Sequence, residues 1–431
     1  MKRESESTLV SHRDLLLQTF IWLLRLEVGA VFIFSGFVKA VDPWGTLYKF
    51  NDYLAALSWD IWPNLILVGV FGLCALEFIV GIFIVTGSFR RSVCFVAAGL
   101  MCVMLPLSLW IAVADPVDDC GCFGDAVILS NWATFWKNVV LTIGIVLLII
   151  LNKKGGWLVT PALQWISLLV SFLFILTIEL FGYISQPLID FRPYGSGDYL
   201  VESSDQTFDS PNYTFVYEKD GLKREWGEDD ELPDDDSGWV FVERRENVSQ
   251  SPSLKNDRNF RLWDTVTGED LTDEAISSSG SQLLIMMPDL KDVSPATTWK
   301  LNSLYEWSVK HNVRMIGVVA GSRTEIEDWE DISMASYPVF SADDTHIKEV
   351  VRGNPGVVFM REGRIVWKNS LAAINIDDFM SPEISDDPES FAIDNYAVLR
   401  NCIYLYLTLL GFLIVLSFVP KLKNYYKPMV R

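Results

Sequence analysis

The chain is expected to fold as an α-helical membrane bundle joined to an α/β domain. Three observations carry this. The 431 residues contain six apolar runs of about twenty residues, a long acidic segment separates the fifth run from the sixth, and the second half of that segment alternates strand-like with helix-like patterns.

The six runs cover residues 20–41, 65–86, 92–114, 132–151, 160–183 and 398–419. A helix of roughly 20 mostly apolar residues crosses the bilayer core with its backbone groups satisfied internally. Residues 1–19 precede the first run and are charged, with no small-x-small cleavage site. The first run is therefore expected to be a retained anchor from which no signal peptide is removed.

Positive residues near span ends stay cytoplasmic. Lys2, Arg3 and Arg13, the turn residues Arg90 and Arg91, then Lys153 and Lys154, and the tail residues Lys421, Lys423, Lys427 and Arg431 all fall on one side of a six-span chain. Both termini, 1–19 and 420–431, are thus expected in the cytoplasm of a bacterium. The connections 42–64 and 115–131 and the segment 183–397 lie across its inner membrane, in the periplasm. That segment holds 42 acidic against 19 basic residues, which exceeds the net charge of −20 carried by the whole chain. Such an acidic domain argues against a nucleic-acid partner and leaves the lipid bilayer as the first expected one.

Several residues inside the runs are not apolar. Arg25 and Glu27 lie in the cytoplasmic third of span 1, Glu77 near the middle of span 2, and Pro106 within span 3. A charge at that depth is costly and normally has a partner. Spans 1 and 2 run in opposite directions, so an Arg25–Glu77 pair is expected, as a staple between helices or as part of a proton or quinone site. Pro106 is expected to kink its helix.

Of the six cysteines, Cys74, Cys94 and Cys102 sit inside spans and Cys402 begins span 6, where a thiol behaves as a small apolar group. Cys120 and Cys122 differ. They stand in Asp118-Asp119-Cys120-Gly121-Cys122-Phe123-Gly124-Asp125, between spans 3 and 4, on the side where disulfides persist. Two thiols separated by one Gly can close a small, strained and therefore labile ring. The flanking Asp115, Asp118, Asp119 and Asp125 oppose thiolate formation, and Lys39 at the end of span 1 could offset them. A redox pair, a structural bridge or spare thiols, and a metal site with two carboxylates all remain open. A lone C-x-C is a weak metal signal, and no metal is expected.

Phe34-Ser35-Gly36-Phe37-Val38-Lys39-Ala40-Val41-Asp42-Pro43, Ala75-Leu76-Glu77 and Cys120-Gly121-Cys122-Phe123-Gly124 together resemble the DoxX-like membrane proteins, in particular the methylamine utilisation protein MauE branch. The resemblance covers residues 20–152. It implies a four-helix membrane core, with the span at 160–183 and the one at 398–419 added to it. It also implies thiol or quinone redox work, MauE being linked to maturation of a disulfide-rich periplasmic dehydrogenase subunit. Cys120 and Cys122 would be the working pair, supported by Lys39, Glu77 and Arg25. Pro187-Leu188-Ile189-Asp190-Phe191-Arg192-Pro193-Tyr194 is similar to a stretch of longer DoxX-like proteins.

Within 184–255, residues 213–218 and 239–244 alternate like strands around the acidic run 227–238. That run lacks calcium-loop spacing and is expected to be a solvated loop. Residues 256–380 are expected to form a thioredoxin-like domain, followed by a linker at 381–397. Its expected strands are 283–287, 313–320, 357–360 and 364–368, and its expected helices 297–310 and 325–333. Asn354-Pro355-Gly356 matches the position of that fold's cis-proline loop. The place of its dithiol reads Pro288-Asp289-Leu290-Lys291-Asp292-Val293-Ser294-Pro295, and 183–397 contains no Cys. The domain is therefore expected either to bind partners through Asn354, Pro355 and Gly356 without reacting with them, or to have no ligand of its own.

Two function classes follow. In one, Cys120 and Cys122 pass reducing equivalents between periplasmic client thiols and a quinone. In the other, the protein is a non-catalytic membrane scaffold for envelope partners.

Overall fold

The computed structural model describes residues 2–59, 61–117, 119–151, 156–201, 213–219, 222–226, 239–246, 260–380 and 391–426. The acidic run 227–238, Asp118, Lys153, Lys154, Lys427 and Arg431 lie outside them, as do residues 381–390 of the expected linker.

The bundle is built from α1 (Lys2–Val41), α3 (Pro63–Thr86), α4 (Arg90–Ala114), α5 (Asn131–Leu151) and α6 (Gln164–Ile184), with the short α2 (Pro43–Ala56) folded across one face. A three-stranded sheet follows, with β1 (Tyr213–Lys219) between β2 (Leu222–Trp226) and β3 (Val240–Glu246). The β1–β2 hairpin was not expected from the sequence. Next come β4 (Trp263–Asp264), α7 (Thr272–Ala275), β5 (Ser281–Met287), α8 (Thr298–Lys310), β6 (Arg314–Val319), α9 (Arg323–Ser333) and β7 (Val339–Ser341). They continue as α10 (Asp344–Val350), β8 (Gly356–Arg361), β9 (Arg364–Ser370) and α11 (Ile376–Met380). The last helix, α12 (Asn395–Tyr426), starts inside the expected linker.

Six helices among the described residues are long and apolar enough to cross a membrane, over Asp14–Val41, Pro63–Thr86, Arg90–Ala114, Asn131–Leu151, Gln164–Ile184 and Asn395–Val419. The protein is a multi-pass membrane protein. The first span forms one continuous helix with the charged stretch before it. The face of the bundle next to α2 is called here the domain face, and the opposite one the tail face.

Glycines set the register of α1 against α3. A Cβ on Gly36 would lie 2.4 Å from Phe78 N and 2.7 Å from Cys74 O, and one on Gly81 2.5 Å from Ile33 N and 2.7 Å from Gly29 O. Without an apolar driving force between helices in lipid, such close backbone approach supplies the packing. Asp42 ends α1 and caps α2, accepting from Gly45 N at 2.9 Å, with Pro43 at the first helical position. The α6 and α12 pair is joined by Ser171 and Tyr406, whose oxygens lie 3.0 Å apart, and by stacking of Phe174 on Tyr406 at 4.3 Å.

The larger sheet has the order β4-β7-β6-β5-β8-β9. β5, β6 and β7 are parallel, whereas β8 runs antiparallel to β5 and β9 antiparallel to β8. Leu283–Met287 lie in the central β5, buried on both faces, as an unbroken apolar run requires. Leu283, Ile285 and Met287 pack with Leu304, Trp307 and Trp329, while Leu284 and Met286 pack with Ile347, Val350 and Leu262. The Asn354–Pro355 bond is cis.

The sheet domain is locked to the bundle at Arg352, which is 5% exposed. Its guanidinium reaches Asp42 of the α1–α2 corner and Asp125, each at 2.8 Å. Gln186, just beyond α6, donates to Arg352 O and accepts from Arg352 N. Nearby, the buried Lys368 ammonium has three acceptors: Asp190, Tyr194 O and Val350 O.

Candidate functional site

The site forms at the domain face, where the α4–α5 connection folds back over α1 and α2. Gly121 (φ +60°) and Gly124 (φ +52°) take left-handed conformations that other residues resist, and Gly124 N closes the turn onto Gly121 O at 3.0 Å. A Cβ on Gly121 would already touch Lys49 Cγ at 3.2 Å. This turn brings Cys120 Sγ and Cys122 Sγ to 3.0 Å, both half-buried free thiols.

The turn is held on two sides. On one side Asp119 accepts from Lys49 of α2 at 2.7 Å and from Gly121 N at 2.7 Å, and Tyr53 donates to Cys120 O. On the other side Asp125 meets Arg352 from the sheet domain. Phe123 packs edge-on against Phe34 at 5.2 Å, and the Lys137 ammonium stands 4.2 Å above the Phe123 ring.

Beneath the turn, Lys39 Nζ lies 2.8 and 2.7 Å from the two Glu77 oxygens, with both residues 5% exposed. Ser35 Oγ is 2.8 Å from both Glu77 Oε2 and Cys122 O, so its single hydrogen serves one acceptor at a time.

This overturns the expected Arg25–Glu77 pair. The glycine contacts set Glu77 level with Ser35 and Arg25 level with Gly87, about 15 Å further along α1 at 1.5 Å per residue. Arg25 instead donates to Gly156 O at 2.8 Å and lies over the Trp22 ring at the tail face. Opposite direction made the depths look compatible; register decides otherwise. Glu27 is exposed on α1.

The acidic flanks do not act on the thiols as their number suggests. Asp115 accepts from Asn131, Asp119 is occupied by Lys49, and Asp125 by Arg352. Cys122 is brought down, first by the hydrogen bond from Cys120 and then, against its burial, by Lys137 and Lys39. Cys120 moves up, through the same hydrogen bond and its burial. The thiolate is thereby favoured at Cys122 and the protonated thiol at Cys120.

A cavity of about 30 Å3 adjoins Cys122, lined by Ser35 and Lys39 of α1, Glu77 of α3, Met101 of α4, and Lys137 and Asn138 of α5. Its size suits water; small organic ligands take pockets of a few hundred Å3. Among the described residues no three His, Cys, Asp or Glu side chains converge as a metal centre needs. Lys137, Asn138 and the tying residue Arg352 were missed from the sequence. Lys137 sits inside an apolar run and meets the same criterion that singled out Glu77. The buried Glu179 of α6, 1% exposed, meets it too.

In the sheet domain Pro355 and Gly356 are buried and Asn354 is half-buried, its amide donating to Asp289 O. A cleft of about 380 Å3 opens at the carboxyl ends of the parallel strands, between Asp289, Lys291, Glu325 and Asp344.

Residues 17–151 match the family model of the methylamine utilisation protein MauE, and residues 211–250 match that of a domain of unknown function, DUF8463. The first match contains α3, α4, the thiol turn and every lining residue of the cavity beside Cys122. No curated protein and no solved structure matches the chain.

Proposed function

We propose that this protein is a membrane-embedded thiol–disulfide exchange protein that acts on partner proteins at its domain face. The observation that carries this is the pair of thiols 3.0 Å apart, in a turn where Lys137 and Lys39 both favour the thiolate of Cys122. Cys122 thiolate attacks a partner disulfide, forming one sulfur–sulfur bond while the partner's own bond breaks and its released thiolate takes up a proton. Cys120 then gives up its proton and attacks Cys122, closing the internal disulfide and expelling the second partner thiolate, which is protonated in turn. Two electrons and two protons pass from the protein to the partner. The reverse reaction with a partner dithiol restores the starting state.

The supporting features extend beyond the turn. The Lys and Arg distribution favours cytoplasmic termini in a bacterial inner membrane, with residues 183–397 in the periplasm, where a labile disulfide persists. The matched family is named for methylamine utilisation. The bundle and its thiol turn would assist the maturation of periplasmic proteins. The strand order of the sheet domain supports a thioredoxin-like fold whose part is to hold and present partners. The cavity beside Cys122 does not fit a quinone ring.

The test is trapping. Cys120→Ser leaves Cys122 without its resolving partner and should accumulate mixed disulfides with periplasmic proteins, whereas Cys122→Ser should not. An alkylating probe should label the pair of wild-type protein only after reduction. If the double Ser variant complements a deletion strain as well as wild type does, the exchange role is wrong and the scaffold role replaces it.

A further inference from the structure

The cavity beside Cys122 holds more hydrogen-bond donors than the exchange step uses. Asn138 is 3% exposed on α5, lines that cavity, and its Nδ2 has no hydrogen-bond partner among the described residues. A buried amide nitrogen without an acceptor is costly to keep. Its neighbour Lys137 lines the same space. A cavity of about 30 Å3 takes one or two waters, each of which needs two to four polar partners. Those partners are present: the amide on one wall, Cys122 on a second, and the Glu77 carboxylate with its Lys39 on a third.

We propose that Asn138 seats a proton-carrying water between Cys122 and Glu77, which makes it a positioning residue for the thiol exchange described above. The balance is simple. When Cys122 ionises, its proton passes to the water, and the water gives a proton to the Glu77 carboxylate. The Lys39 ammonium, which had faced Glu77, then faces the Cys122 thiolate. The cluster's total charge does not change, so the low-dielectric surroundings impose little penalty on the shift. Return of the proton accompanies departure of the partner thiolate.

The groups facing Cys122 are few. Its own turn contributes Cys120 and Asp119, the latter tied to Lys49 of α2 beside Tyr53. α1 contributes Lys39, α3 contributes Glu77 with Cys74 one turn before it, and α5 contributes Lys137. From α4 the lining is apolar, with Leu100, Met101 and Met104. Among these groups Glu77 supplies the carboxylate that lines this cavity.

The inference rests on the exchange role but is tested apart from it, by the pH dependence of Cys122 alkylation in reduced Cys120→Ala protein. Adding Asn138→Leu should move the midpoint up by about one unit, a slowing of about tenfold near neutral pH. Asn138→Ser, which keeps a donor and leaves room for water, should bring the profile back toward that of Cys120→Ala alone. In a Glu77→Gln background Asn138→Leu should have no further effect. An unchanged midpoint in Asn138→Leu, or an equal shift with and without Glu77, would overturn the water relay. If Asn138→Leu protein does not accumulate, Asn138→Val reads the same profile. Failure of the exchange role shows differently, as absence of mixed disulfides in Cys120→Ser whatever the alkylation profile.

Discussion

The thiol turn at the domain face and the cleft at the carboxyl ends of β5, β6 and β7 are opposites in construction. The turn has two cysteines beside a cavity of about 30 Å3, with the ion pair Lys39–Glu77 buried beneath it and the half-buried pair Lys49–Asp119 at its side. The cleft is about 380 Å3, lined by exposed acidic groups and one lysine, and residues 288–295 contain no cysteine. The first gathers its polar groups around one sulfur and the second is an open surface. Under the proposed function, chemistry and contact are separated in this chain, and Arg352, which touches Asp125 three residues from Cys122, is where they join.

The sharpest way to break that separation is to exchange the losses. Cys122→Ser should abolish mixed-disulfide trapping, while Asp289→Asn and Lys291→Ala in the cleft should leave alkylation of the thiol turn unchanged. Loss of thiol reactivity in a cleft variant would merge the two sites. The next largest effect concerns the buried pair. Lys39→Met or Glu77→Gln strands one charge in a buried, low-dielectric site and should cost about 3–5 kcal/mol, with most of it recovered in the double variant. Thermal unfolding in detergent and steady-state abundance measure this, and equal, additive losses would show that the two residues act separately.

Arg352→Ala should come next, at about 3 kcal/mol for leaving Asp42 short of its partner, and hydrogen exchange should rise at the α1–α2 corner and around 350–354. Arg352→Lys should restore only part, because an ammonium cannot bridge two carboxylates as the planar guanidinium does. The smallest effect is acidic. Although burial pushes Asp190 upward, Arg192 and Lys368 outweigh it and hold the carboxyl at about 2. A carboxyl held below its unfolded value of about 3.9 adds stability above that value and loses it as pH falls toward 2. Melting of the sheet domain should therefore drop between about pH 4 and pH 2, and Asp190→Asn should flatten the drop.

The spans were legible because a run of apolar residues has one good solution in lipid, and α5 and α6 begin and end within a few residues of the expected limits. The central strand β5 was legible for a related reason, since few solutions other than a doubly covered strand accept Leu283–Met287. The partner of Glu77 was not. Depth can be estimated from position along a span, but the slide of α1 along α3 is set by Gly29, Gly36 and Gly81, which have no side chains to give an apolar or charged pattern. Arg352 was invisible for another reason. It is one of many charged residues in an acidic segment, and only the folded chain sets it against Asp42, 310 positions away. The position of the two thiols was readable, yet the electrostatics around them were not, because the described acidic neighbours Asp115, Asp119 and Asp125 are each held by another residue.

Those same glycines bear on how the protein can vary. The lipid-facing rows of α1 and α3 contact only fluid hydrocarbon, so apolar side chains there are interchangeable. At Gly36 not even a methyl group fits, since a Cβ would sit 2.4 Å from the Phe78 nitrogen. An alanine there would act as a wedge, tilting one helix off the other and drawing Lys39 away from Glu77 one helical turn further on. A hydrogen atom at Gly36 thus sets the working distance of an ion pair it never touches.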